Sequence, residues 1–130
     1  MAKNDIRQAG RLKQFLLEIY PSKKDFELLV IDRKPKKRMG SYVCAKQRII
    51  IYSQWSCETT LEEIAIHEYA HHINITEWWN CEENGYKYEA SHGYKFWYIY
   101  SQLIELTNKK GYAITPHYYG RVGLLFNGAR

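Results

Sequence analysis

The sequence predicts an α+β fold in which a small, mostly antiparallel sheet packs against helices. Apolar residues recurring at steps of three and four mark three helical stretches, and short apolar runs at 26–31, 41–45 and 48–53 mark strands. The strands gather in the first half and two helices follow them, the order expected of segregated layers. With 130 residues, 45% of them hydrophobic, the protein suits one domain spanning 1–130 with a core that needs no disulfides.

Each element has a local reason. Ile6, Ala9, Leu12 (or the stem of Lys13), Leu16, Ile19 and Tyr20 form one face of a first helix, which Pro21 ends. Residues 26–31 form the first strand. Residues 41–45 and 48–53 flank Lys46-Gln47 and make a hairpin, although that turn lacks Asn-Gly chemistry. A second helix covers 60–75: Leu61, Ile64, Ala65, Tyr69 and His72 or Ile73 keep the period, and Thr59 or Thr60 with Glu62 and Glu63 supplies an N-cap and an acidic first turn. Residues 78–87, with Asn80, Asn84 and Gly85, read as a loop. A long helix over 88–108 ends on Lys109, Lys110 and Gly111, a basic last turn with a glycine stop. The tail 112–130, with Pro116 and three glycines, reads as short strand or irregular structure.

The second helix carries the chemistry. His67-Glu68-Tyr69-Ala70-His71 spells H-E-x-x-H, and side chains four apart on a helix share a face, so both imidazoles can meet one Zn²⁺. Glu68 then stands beside the metal, placed to take a proton from the attacking water. His72 lies about 100° around the helix from His71 and cannot join the same ion. Catalytic zinc keeps three protein ligands and one open position, so a third ligand is required. In metzincins a glycine and a third histidine follow shortly; here Asn74 and Glu77 hold those positions and exclude that arrangement. His92 and Glu89, one turn apart on the predicted third helix, are the remaining candidates.

His92-Gly93-Tyr94-Lys95-Phe96 reads H-G-x-x-F, and with the H-E-x-x-H it resembles the SprT-like zinc metallopeptidases. Met39-Gly40-Ser41-Tyr42 and Arg48-Ile49-Ile50-Ile51-Tyr52-Ser53 look like that family's glycine-led strand and the apolar strand before the zinc helix. The resemblance covers residues 39–106. It implies a zincin-like domain with a second ligand-bearing helix, one zinc per protein molecule held by His67, His71 and His92, and Glu68 as the catalytic acid/base; in related zincins with a carboxylate ligand a position like Glu89 coordinates instead. In zincins the edge strand of such a sheet often holds an extended peptide, and strand 48–53 is the candidate here for β-addition of substrate. The family's cysteine-rich ribbon is absent: Cys44, Cys57 and Cys81 form no C-x-x-C pair. For the oxyanion, His117, Tyr118, Tyr119 and Tyr94 are candidate donors.

Charge is uneven. Residues 1–48 carry 13 Lys/Arg against 5 Asp/Glu, a balance of +8, and residues 49–130 carry 6 against 9, a balance of −3, which sums to the net +5. The densest run, Arg33, Lys34, Lys36, Lys37 and Arg38 around Pro35, reads as an exposed loop, either a solvated one or a contact for nucleic-acid phosphates. DNA-linked protein substrates of some SprT-like proteases agree with the second reading. The rings of Trp78, Trp79, Tyr86, Tyr88, Tyr94, Trp97, Tyr98 and Tyr100 suit core or cleft wall better than base stacking. Scattered cysteines, a polar N-terminus and no long apolar run point to a cytoplasmic protein without a membrane segment.

The function these features predict is zinc-dependent hydrolysis of peptide bonds, in protein or peptide substrates. Two alternatives stand beside it: a zinc-fold module with lost catalysis that binds nucleic acid through residues 33–38, and a zinc hydrolase of a non-peptide bond, because a zinc site does not by itself choose its substrate.

Overall fold

The computed structural model of this protein describes residues 3–54, 59–79 and 92–114. Helix α1 is Ile6–Ile19, followed by β1 Glu27–Ile31, β2 Gly40–Val43, β3 Arg48–Tyr52, α2 Leu61–Ile73 and α3 Tyr94–Lys109. The class is α+β, as the sequence predicts, but the sheet is mixed rather than mostly antiparallel. Its order is β1-β3-β2, with β1 parallel to β3 and β2 antiparallel to it.

The reason lies in the alternation. Pairing Leu28 with Ile49 and Val30 with Ile51 puts four buried side chains on one face, and parallel register also brings Glu27 against Arg48, whose Nε donates to Glu27 Oε1 at 2.6 Å. Gly40 and Tyr42 of β2 pair with Ile51 and Ile49 and so belong to the same inner face. Helices α1 and α2 pack on that face, and α3 packs chiefly on α2. The core is continuous from Leu12 and Leu16 through Val30, Ile49 and Ile51 to Ile66, Tyr69, Phe96 and Leu103.

Local chemistry explains the ends. Asp5 caps α1 by accepting from the Gln8 N–H, and Tyr20 before Pro21 is extended, as a residue preceding proline prefers. Ile6, expected on the buried face, is 79% exposed in the first turn, and Phe15 joins the core instead. Thr60 and Glu63 form a reciprocal capping box at the start of α2. The helical path does not stop after Ile73: it widens into a π-helical stretch, Asn74–Trp79, where the Thr76 hydroxyl donates to the His72 carbonyl. Trp78 and Trp79, expected in a loop, are therefore helical, and the rest of that predicted loop lies outside the described residues. Helix α3 ends with Gly111 in the left-handed region at φ 101°, the glycine stop the sequence predicts.

The hairpin forms with shorter strands. Cys44–Lys46 make a 3-10 turn and Gln47 takes a left-handed conformation, φ 47°, so four residues connect Val43 to Arg48 in place of a two-residue turn. The strand expected to receive substrate, β3, is central and has neighbours on both sides. The outer side of β1 is covered in part by Asn4 and Asp5, which bond to Val30. Among the described residues, the long unpaired edge is that of β2.

Candidate metal centre

The site assembles where α2, the start of α3 and β2 meet. His67 and His71 stand on one face of α2, and His92 lies two residues before the first residue of α3, with Gly93 as its N-cap. His92 thus sits in the turn before the helix rather than on a second ligand-bearing helix. Leaving the helical path there lets its ring turn back toward α2. The Nε2 atom of His92 is 3.1 Å from Nε2 of His67 and 3.2 Å from Nε2 of His71. All three ligand atoms lie within 4.8 Å of one another, close enough to hold one metal ion.

Those distances suit a metal. Ligand bonds of about 2.0–2.1 Å in tetrahedral geometry put neighbouring nitrogens about 3.3 Å apart. Imidazoles facing each other through the same nitrogen can share only N–H···N bonds that leave lone pairs competing for one proton, whereas a cation takes a lone pair from each ring. Electrostatics keeps them ready to ligate. Burial, then the neighbouring His67 and His92, and Arg38, hold His71 down to about 3, and burial with Arg38 lowers His92. Neutral imidazole is the form that binds a cation.

Aromatic packing fixes the rings. Phe96 stacks on His71 with centroids 4.2 Å apart and meets His92 and His67 edge-on at 4.9 and 5.0 Å. Trp97 and Tyr100 add edge contacts to His67. Phe96 is the surface on which all three imidazoles rest, a role the sequence reading did not assign, although its place four residues after His92 in H-G-x-x-F is the signal for it. Trp97 and Tyr100 are buried, as expected of core rings, whereas Tyr94 and Tyr98 are exposed.

Glu68 completes the site. It is 6% exposed and lines a cleft of about 750 Å³ together with the three histidines, and burial pushes its carboxyl up to about 8 against the opposing pull of Arg38. Gly40 sets how closely β2 approaches. A Cβ there would lie 2.7 Å from Ile64 Cγ2 and 3.2 Å from Glu68 Cγ, so only glycine lets the edge strand lie flush on the face of α2 that carries Ile64 and Glu68.

His72 faces away from this centre, as the helical angle requires. It is fully buried, its Nε2 donating to the Lys24 carbonyl at 2.8 Å and its Nδ1 accepting from the Tyr42 hydroxyl at 2.7 Å. It ties α2 to β2 and to the loop before β1. Tyr69 extends the tie, receiving the Ser22 N–H and donating to the Tyr20 carbonyl.

The remaining candidates divide. Glu89, His117, Tyr118 and Tyr119 lie outside the described residues, as do Cys57 and Cys81. Tyr94 is 74% exposed and is not part of the cleft wall. Cys44 is exposed and free. The cations of the basic run are all exposed: Arg33 lies over the Tyr52 ring at 5.1 Å, Lys34 and Lys36 face solvent, and Lys37 and Arg38 line the cleft. That placement was hidden in the sequence, because it depends on where β2 meets α2. Among the described residues no helix is long and apolar enough to cross a membrane.

No protein-family model, curated protein or solved structure matches this sequence.

Proposed function

We propose that the protein is a zinc-dependent peptidase of SprT-like, zincin-like type, with His67, His71 and His92 as ligands and Glu68 as general base and acid. One observation carries the proposal: three histidine Nε2 atoms converge beside a buried glutamate in an open cleft. The two motifs at 67–71 and 92–96 support the family reading.

A zinc ion in this centre supplies Lewis acidity, which lowers the pKa of water toward 7 and polarises the scissile carbonyl. The protein's own groups do the rest. Glu68 in its ionised form, which Arg38 favours against the effect of burial, accepts a proton from the attacking water and delivers it to the leaving amine nitrogen. The edge of β2 that has no strand neighbour among the described residues lines the cleft beside Glu68 with Gly40, Ser41 and Tyr42 and offers backbone groups to an extended substrate. Phe96 prevents the ligand rings from tilting.

The test is digestion of an unstructured protein such as casein by zinc-loaded wild type and by Glu68→Gln. Cleavage should stop with a chelator and fall by at least about a hundredfold in the variant, the scale of a lost general base. Equal cleavage by Glu68→Gln at equal zinc content would sink the mechanism.

A further inference from the structure

Two cations stand in the wall of the cleft. Lys37 and Arg38 line it beside Gly40, Glu68 and the histidines, and both are exposed. Among the described residues neither takes part in an ion pair or a hydrogen bond. Of the carboxylates in the same wall, Glu63 is engaged in the capping box with Thr60, and Glu68, although within the electrostatic reach of Arg38, is buried and forms no ion pair with it. Arg38 nevertheless acts on the centre, opposing protonation of His71 and His92 and favouring the ionised form of Glu68.

Gly40 fixes the scale. A Cβ on Gly40 would stand 3.2 Å from Glu68 Cγ, and residue 38 lies two residues earlier in the sequence, at most about 7 Å away along the backbone. A long side chain from there reaches the groups flanking the bond that Glu68 serves. A substrate seated between β2 and α2 displaces water from this guanidinium. With a neutral neighbour the cation loses solvation without a partner, whereas a carboxylate gives it a bidentate, charge-assisted bond.

Resting on the peptidase reading, we infer that Arg38, seconded by Lys37, is a specificity-determining residue that selects substrates with a carboxylate within two residues of the scissile bond. The carboxylate comes either from an Asp or Glu side chain or from the carboxyl terminus of the substrate.

Quenched fluorescent peptides that differ only in Glu or Gln at the positions flanking the bond, each with a free or amidated C-terminus, test this with zinc-loaded protein. Glu peptides, or free-acid peptides if the terminus is the source, should show about tenfold higher kcat/KM than their neutral counterparts. The preference should vanish in Arg38→Ala, persist in Arg38→Lys and reverse toward Lys peptides in Arg38→Glu. Arg7→Ala, which removes an exposed charge from α1, should keep it. Equal rates for the paired peptides, or a preference that survives in Arg38→Ala, overturns the inference. If wild type cleaves no peptide, the peptidase reading fails separately, and the same peptides become ligands followed by fluorescence anisotropy. Tighter binding of the carboxylate form that is lost in Arg38→Ala then upholds the inference; equal binding overturns it. Loss of duplex DNA binding in Arg38→Ala with the peptide preference intact also overturns it, in favour of a phosphate contact.

Discussion

His71 and His72 are adjacent in sequence and opposite in purpose. The first turns its Nε2 toward two other imidazoles, and the second spends both nitrogens on Tyr42 and Lys24. Their substitutions should separate cleanly. His71→Ala should lose metal while keeping most of the fold. His72→Ala should retain one metal per protein molecule but lose about 2–4 kcal/mol of stability, because it leaves two buried partners unsatisfied and opens a cavity. Metal analysis and urea unfolding of the two variants check both outcomes. The helical angle alone distinguished these residues in the sequence. What it could not supply was the third ligand, since His92 lies 21 residues beyond His71, outside the reach of any helical period. The H-G-x-x-F resemblance found it, and the close approach of the nitrogens agrees with it.

At the scale of elements, α2 was the most legible part of the sequence because its signals are local: a cap, an acidic first turn and a 3.6-residue period. The sheet was less so. The β2–β3 pairing is a neighbour pairing and could be read, but the insertion of β3 between β1 and β2 depends on Leu28, Val30, Ile49 and Ile51 meeting the same helices. Strand order is a tertiary property, which is why the predicted substrate strand turned out to be central and the edge fell to β2. Gly40 makes that edge usable. Gly40→Ala should cost about 1–3 kcal/mol by overpacking against Ile64, and it should also lower peptide turnover by displacing β2 from Glu68. Unfolding and kcat/KM measured on the same preparation test this. Lost stability with unchanged turnover would show that β2 does not position substrate.

The whole molecule should respond to pH through the groups it has buried. His71 is held at about 3 against an ordinary 6.5, so below pH 6.5 the unfolded protein takes up a proton that the folded one refuses. The stability due to this group is therefore present above pH 6.5 and is lost as pH falls toward 3. His92 and His72 are lowered in the same direction, also by burial first. Glu68 runs the other way: raised from 4.5 to about 8, it is most comfortable protonated, and its contribution is lost as pH rises through 8. Below pH 6.5 the proton refused by His71 offsets the one held by Glu68, at about 1.4 kcal/mol per pH unit each, and the lowering of His92 and His72 tips the balance toward loss of stability in acid. Chelator-treated protein should accordingly unfold more easily at pH 5 than at pH 6.5, and more easily at pH 9 than at pH 7. A flat profile in urea unfolding would contradict that picture of the buried centre.

Whether three imidazoles make one metal centre is decided by the coordination shell of the zinc-loaded protein. X-ray absorption at the zinc edge should give three histidine nitrogens at about 2.0–2.1 Å and one further light atom, with one zinc per protein molecule. A sulfur scatterer at about 2.3 Å, or fewer than three imidazoles around the ion, would refute the three-histidine centre.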